Sequence, residues 1–262
     1  MNYDNYFDFL SDVEVVGGKP GKYLDVIIKE SDLDVLKYYN TEYSVLISDI
    51  DSYLETFSSE YHTFAETEEI LVNISKNYPG ITSLHSLGKS YENRDIWCLE
   101  ISDNPGDDEN EPGVFFMGLH HAREWPSLEI CLYIIEQLTS NYDSNNEIQD
   151  IVNNRRIWIV PCVNPDGYYY SHDRHHDWRK NRHYFPDFDS YGVDLNRNYP
   201  GSSNGDIFGA WGTLSGSVSH NSRSEVYCGP GPSSELETQA TKNFFIDNDI
   251  CSCISWHTYG EL

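Results

Sequence analysis

The stretch GLHHAREWPS, residues 118–127, sets two histidines, an arginine and a glutamate between an apolar run and an apolar-periodic segment. His121 and Glu124 stand three residues apart where a strand should hand over to a helix, a spacing that lets both side chains lean to one side and share one cation. Imidazole nitrogen with carboxylate oxygen suits Zn2+, and a catalytic zinc takes a third protein ligand while leaving one position open for water. His257, in CSCISWHTYGEL, ends an apolar run and is the candidate third ligand. Neither signal is specific by itself: a histidine there also fits the rim of a core, and H-x-x-E arises about once by chance in a chain this rich in His and Glu. A surface histidine and glutamate at a helix start remains the competing reading of the pair.

Two further clusters bear on the choice. DWRKNR, residues 177–182, concentrates positive charge in an otherwise acidic chain, and GVDLNRNYP, residues 192–200, places Asn196 and Arg197 side by side. A guanidinium beside an amide cradles a free carboxylate through charge-assisted bonds. Taken singly, either cluster also fits solvated loop polarity.

The elements around these residues follow from periodicity. IWCLEIS, VFFMGL, RIWIVPCV and CISWH read as buried strands, and AETEEILVNISKNYPG as an amphipathic helix stopped by Tyr78-Pro79-Gly80. SLEICLYIIEQL carries Cys131, Ile134, Ile135 and Leu138 at helical spacing, with Pro126 tolerable in the first turn; SSELETQATKNFFIDN reads as another capped helix. Strands alternating with helices predict an open α/β sheet whose sites gather at the carboxyl ends of the strands. A weak boundary falls near residues 58–62, and the segment before it, a small α+β pattern, points to no chemistry of its own.

Composition narrows the classes. At 262 residues, 39% hydrophobic and 14% aromatic, the chain supports a sizeable folded core. Forty-three acidic residues against 17 basic ones give a net charge of -26, which repels phosphate backbones and anionic membrane surfaces. Nucleic acid and membrane are therefore not expected partners. No window approaches the ~20 apolar residues of a membrane span, and MNYDNYFDFL lacks the features of a signal peptide. Cys98, Cys131 and Cys162 sit in apolar runs and read as small buried residues, and no pair of CxxC hooks supports a zinc ribbon.

Taken together, HAREW (121–125), WRK (178–180), GVDLNRN (192–198) and HTY (257–259) occur in the order and approximate spacing of the zinc carboxypeptidases of the carboxypeptidase A/B type. YHTFAETEEILVNISKNYP and LGKSYENRDIW also resemble the start of that catalytic domain. The resemblance covers residues 61–262; residues 1–60 resemble, more weakly, the end of a pro-segment or a small N-terminal unit. It implies an open, mixed, largely parallel sheet with helices on both faces. It implies one Zn2+ held by His121, Glu124 and His257, with Asp194 orienting a ligand histidine and Arg179 polarising the scissile carbonyl. Asn196 and Arg197 would hold the substrate's terminal carboxylate, and Arg123 and Tyr259 would line subsites upstream of the cut. The implied reaction is hydrolysis of the C-terminal peptide bond of peptides and proteins by zinc-activated water, in an extracellular setting, by a protein expected to be monomeric.

The resemblance also calls for a glutamate general base and a substrate-capping tyrosine well downstream of the third ligand, whereas the chain stops five residues after His257. Glu261 is too close to His257 to fill the first role. The expectation is a domain incomplete at its C-terminus, with sheet and helix needed beyond ISWHTY, and a 262-residue chain that keeps the zinc geometry with severely reduced turnover. Two rival functions stay open: a non-catalytic module that binds zinc or peptide C-termini, and a zinc amidohydrolase acting on N-acyl amino acids.

Overall fold

The computed structural model describes residues 14–19, 22–28, 30–38, 40–107, 109–201, 210–212 and 218–258. An antiparallel hairpin, β1 (Glu14–Lys19) and β2 (Tyr23–Ile27), precedes the short helices α1 (Asp34–Tyr38) and α2 (Ile50–Ser58). The helix α3 (Phe64–Asn77) then opens on a reciprocal cap. The Thr63 side chain accepts from the Glu66 backbone while the Glu66 side chain accepts from the Thr63 backbone, an arrangement worth about 1 kcal/mol. Phe64, Thr67 and Leu71 form its buried face, and it stops at Tyr78 before Pro79, as the sequence predicts.

The centre is a five-stranded sheet in the order β3 (Thr82–Lys89), β4 (Asp95–Ile101), β6 (Arg156–Val160), β5 (Gly113–Met117), β9 (Ile250–Ser255). β3 and β6 each run antiparallel to β4, and β5 is parallel to both β6 and β9. Four of the five strands therefore point the same way, the open and largely parallel sheet that the alternation of strands and helices predicts.

Strand alternation loads both faces. Leu99, Ile101, Ile157 and Ile159 pack with α3, α4 (Pro126–Ser140), α5 (Asn146–Asn153) and α6 (Pro165–Asp173). Ile96, Cys98, Phe115, Trp158 and Val160 face the other way, toward Ala240 and Phe244 of α7 (Leu236–Asp247). Between α6 and α7 lies the two-stranded hairpin β7 (Tyr184–Phe185) and β8 (Ser190–Tyr191). The buried stripe Leu128, Cys131, Leu132, Ile135 and Leu138 of α4 matches the helical spacing, with Ile134 only partly buried.

Two expectations are corrected. The run CISWH reads as a buried strand, yet β9 is the outermost strand among the described residues, and its residues 251–254 are exposed. The α7 helix, read as capped, begins with Glu235 at its cap position and without a side-chain cap bond. The Glu235 carboxylate is instead engaged by Asn181 Nδ2 at 2.8 Å and Ser234 Oγ at 2.7 Å. Among the described residues no helix is long and apolar enough to cross a membrane.

Candidate metal centre

β5 and β9 are parallel neighbours with Met117 opposite Ser255, and the Trp256 backbone N–H donates to the Met117 carbonyl at 2.8 Å. Their carboxyl ends leave the sheet side by side, which brings His257 to the turn that follows β5. That turn is tight. A Cβ on Gly118 would stand 2.7 Å from both the Pro161 and Ser127 carbonyl oxygens, so only glycine lets the strand end pass between β6 and α4. Leu119 takes φ 51°, a left-handed conformation that costs a branched residue about 1 kcal/mol or more. The Ser127 hydroxyl accepting from the Leu119 N–H at 2.9 Å, and complete burial of Leu119, hold it there.

Within the turn His121 and Glu124 converge as their spacing predicts. His121 Nδ1 lies 2.6 Å from Glu124 Oε1, and His257 Nδ1 lies 2.7 Å from Glu124 Oε2. One nitrogen or oxygen from each of the three residues lies within 4.8 Å of the others. The His121 and Glu124 side chains are 5% and 2% exposed and that of His257 is 30% exposed, so the centre opens to solvent on the His257 side.

Asp194 settles the proton on His121. Its Oδ1 lies 3.1 Å from His121 Nε2, and its Oδ2 accepts from Arg179 Nε and Nη2 at 3.1 and 2.8 Å. Burial would raise the Asp194 carboxyl, but the Arg179 guanidinium, followed by His121, holds it well below the usual carboxylate range. An ionised carboxylate only accepts, so Nε2 of His121 donates to Asp194. Burial likewise opposes ionisation of Glu124, and the bonds to His121 and His257 overcome it and hold the group below its ordinary value. Two imidazole nitrogens thus converge on a buried, ionised carboxylate, an arrangement able to take up a cation. Two imidazoles and one carboxylate are a donor set suited to zinc.

The other predicted residues gather around this point. Asp194 also accepts from the Asn196 backbone N–H at 3.0 Å and so caps the short 3-10 turn Leu195–Arg197. Asn196 Nδ2 stands 3.4 Å from His257 Nε2, and Arg197 Nη1 donates to the Asn196 carbonyl at 3.1 Å. Arg179 Nη1 stands 3.9 Å from Glu124 Oε1. Gly192 makes the approach of these segments feasible: its φ is 85°, and a Cβ there would lie 2.5 Å from the Asn181 carbonyl oxygen. The Arg123 guanidinium donates to the backbone and side-chain oxygens of Asp177 at 3.2 Å. Tyr259 lies outside the described residues.

Sequence reasoning missed three groups behind the ligands. His120 sits with Nδ1 2.9 Å from Ser255 Oγ and Nε2 2.9 Å from the Tyr199 hydroxyl. Its adjacency to His121 was the only available signal, because Ser255 and Tyr199 come from distant parts of the chain. Burial, ahead of repulsion from His257 and His121, pushes the His120 imidazole down to about 3, so the ring is neutral.

The family model for zinc carboxypeptidases matches residues 67–262. The chain is 46% identical over 141 residues to a zinc carboxypeptidase of Saccharothrix mutabilis subsp. capreolus, covering 53% of this chain and 32% of that protein. It is 32% identical over 215 residues to carboxypeptidase O of Bos taurus, covering 80% of this chain and 54% of that one. The chain thus spans between a third and about half of the length of these curated relatives. The crystal structure of carboxypeptidase A from Helicoverpa armigera superposes with a TM-score of 0.81 at 25% identity, over 98% of this chain and 66% of the other.

Proposed function

The chain belongs to the zinc carboxypeptidase family, and from that premise we propose that it acts as a zinc-dependent metallocarboxypeptidase, hydrolysing the last peptide bond of peptides and proteins. His121, Glu124 and His257 would hold one zinc ion. The observation that carries this reading is the convergence of His121 Nδ1 and His257 Nδ1 on the two oxygens of the buried Glu124 carboxylate. When bound, zinc supplies a Lewis acid that polarises a carbonyl oxygen and lowers the pKa of water.

The chain's own residues do the rest. Asp194 holds the His121 ring in one tautomer and clamps Arg179, whose Nη1 remains on the side of the centre for a carbonyl oxygen gaining negative charge. Asn196 and Arg197 bind the substrate's terminal carboxylate, which restricts cleavage to the chain end and fixes the register of the scissile bond. Arg123 and Tyr259 line the upstream subsites. Among the described residues, the carboxylates of Glu124 and Asp194 at the centre are engaged with imidazoles and Arg179. Residues 1–60 are read as a unit distinct from the catalytic 61–262, and the setting as extracellular.

Metal content of the purified chain, and release of the terminal residue from a short peptide acid set against its amide, test the reading. One zinc per chain, with the acid preferred, supports it. A chain that takes up no zinc, or treats acid and amide alike, overturns it.

A further inference from the structure

We propose that a cavity of about 440 Å³, at the end of the sheet remote from the metal centre, binds a free α-amino acid with an apolar side chain, held as its zwitterion. Its place follows from strand register. Arg156 and Ile250 flank Gly113 at the amino end of β5, whereas Met117 pairs with Ser255 at the carboxyl end, from which the chain continues to His121 and His257. Four residue steps of β5, ~13 Å, separate the two ends. The cavity lies on the α7 face, walled by β3, β4, β6 and the last turns of α7.

A buried charge marks the site. Along β4, Ile96, Cys98 and Glu100 share one face, so a carboxylate only 1% exposed stands where alternation calls for a third apolar residue. Such a group needs partners. Arg156 Nε donates to Glu100 Oε1 at 2.8 Å, and Glu100 Oε2 lies 3.0 Å from His85 Nε2. Burial opposes ionisation of Glu100, and the bonds from His85 and Arg156 hold its carboxyl below the ordinary value. The Arg156 guanidinium also lies 4.8 Å from the centre of the Trp158 ring, so one edge and one face of it are fixed. The other edge is spare: no described residue accepts from Nη1 or Nη2, and neither nitrogen is sealed from solvent. A held pair of parallel donors at a cavity wall is the fork from which a carboxylate accepts.

Charge then selects the ligand. Glu100 already neutralises Arg156, and Asp247, the last residue of α7, adds a negative charge at the rim. A bare anion is repelled by that surplus and by a chain of net charge -26, and a bare cation leaves the Nη donors unused. A zwitterion meets both groups. Its carboxylate takes Arg156 and its ammonium takes Asp247, where the C-terminal end of α7 also favours positive charge. Trp158 and Phe244, with ring centres 5.5 Å apart, and Leu87 supply an apolar wall for the side chain.

Isothermal titration of L-leucine into the metal-free 262-residue chain tests the site. One equivalent is expected to bind. L-leucinamide, which lacks the carboxylate, and N-acetyl-L-leucine, which lacks the ammonium, should each bind about 10-fold more weakly or worse. Arg156→Lys keeps a charge beside Glu100 but removes the fork, and should weaken leucine by about 10-fold. Asp247→Asn alters an exposed rim position and leaves the core untouched, so it reads out even if Arg156→Lys does not fold. It should weaken leucine by about threefold or more and leave N-acetyl-L-leucine unchanged. Arg197→Ala should not alter leucine binding. No heat at millimolar leucine, or a leucine affinity unchanged in Asp247→Asn, overturns the site. Affinity lost in Arg197→Ala also overturns it, by moving the amino acid to the pocket proposed for the terminal carboxylate. None of these readouts involves zinc, so a chain that takes up no metal overturns the reading of the metal centre while leucine still decides this one.

Discussion

Arg179 meets Asp194 through two N–H groups on one carboxylate oxygen, Nε at 3.1 Å and Nη2 at 2.8 Å, while the other oxygen of Asp194 takes His121 Nε2. One buried carboxylate therefore governs both a proposed metal ligand and the guanidinium beside it. Asp194→Asn removes the charge from both at once. Zinc affinity is expected to fall by about 10- to 100-fold, read by chelator competition. Leaving Arg179 buried without its counter-charge should also lower unfolding stability by about 3 kcal/mol, measured in urea. Unchanged zinc affinity would remove Asp194 from the orienting role.

Arg197 and Asn196 are placed beside the centre by the turn that Asp194 caps. If they hold a terminal carboxylate, Arg197→Ala loses a charge-assisted contact of about 2 kcal/mol, roughly thirtyfold in affinity. The loss should appear for a peptide acid and not for its amide in isothermal titration with the zinc-loaded chain. Equal losses for both ligands would assign Arg197 to general packing of the loop.

His121 and Glu124 were legible from the sequence because their relation is local: an i, i+3 pair at a strand-to-helix turn survives any arrangement of the rest. His257 was legible as the polar end of an apolar run, but its meeting with Glu124 depends on β9 pairing with β5 in a particular register, which spacing does not contain. The Asp194–Arg179 clamp depends on Gly192 letting two segments pass within van der Waals contact. The contacts of His120 were invisible, since Ser255 and Tyr199 come from distant parts of the chain. Burial of CISWH was misread because an apolar run looks the same in an outer strand as in an inner one. The cap of α7 was misread because Glu235 is drawn off by Asn181, a partner remote in sequence.

Removing metal should destabilise the fold, because an ion binds the folded arrangement, in which one atom from each of the three residues lies within 4.8 Å of the others, and not the unfolded chain. At free zinc of about 100 times the dissociation constant, linkage gives about 2.7 kcal/mol of stabilisation. For a chain of this size that corresponds to a fall in Tm of roughly 5–10 °C on adding chelator. Glu124→Gln, which discards the central charge, should abolish the chelator effect. A metal-dependent Tm that persists in Glu124→Gln would place the ion elsewhere.

Glu237, fully buried at the start of α7, gives a pH dependence independent of the metal. Burial, then repulsion from Glu235 and Asp166, pushes its carboxyl up from 4.5 to about 8 against opposing bonds from its own backbone and from Asn181. The folded chain thus holds a proton that the unfolded chain releases above 4.5. Stability contributed by this group is complete below 4.5 and falls as pH rises, with the loss levelling off above about 8. Between pH 6 and 8 the wild-type chain should lose about 2 kcal/mol relative to Glu237→Gln, which keeps the shape and carries no proton to lose. Urea unfolding of both chains at the two pH values measures the difference. Parallel pH curves for wild type and Glu237→Gln would mean that Glu237 is already ionised in the folded state, with water or a cation reaching its buried oxygen.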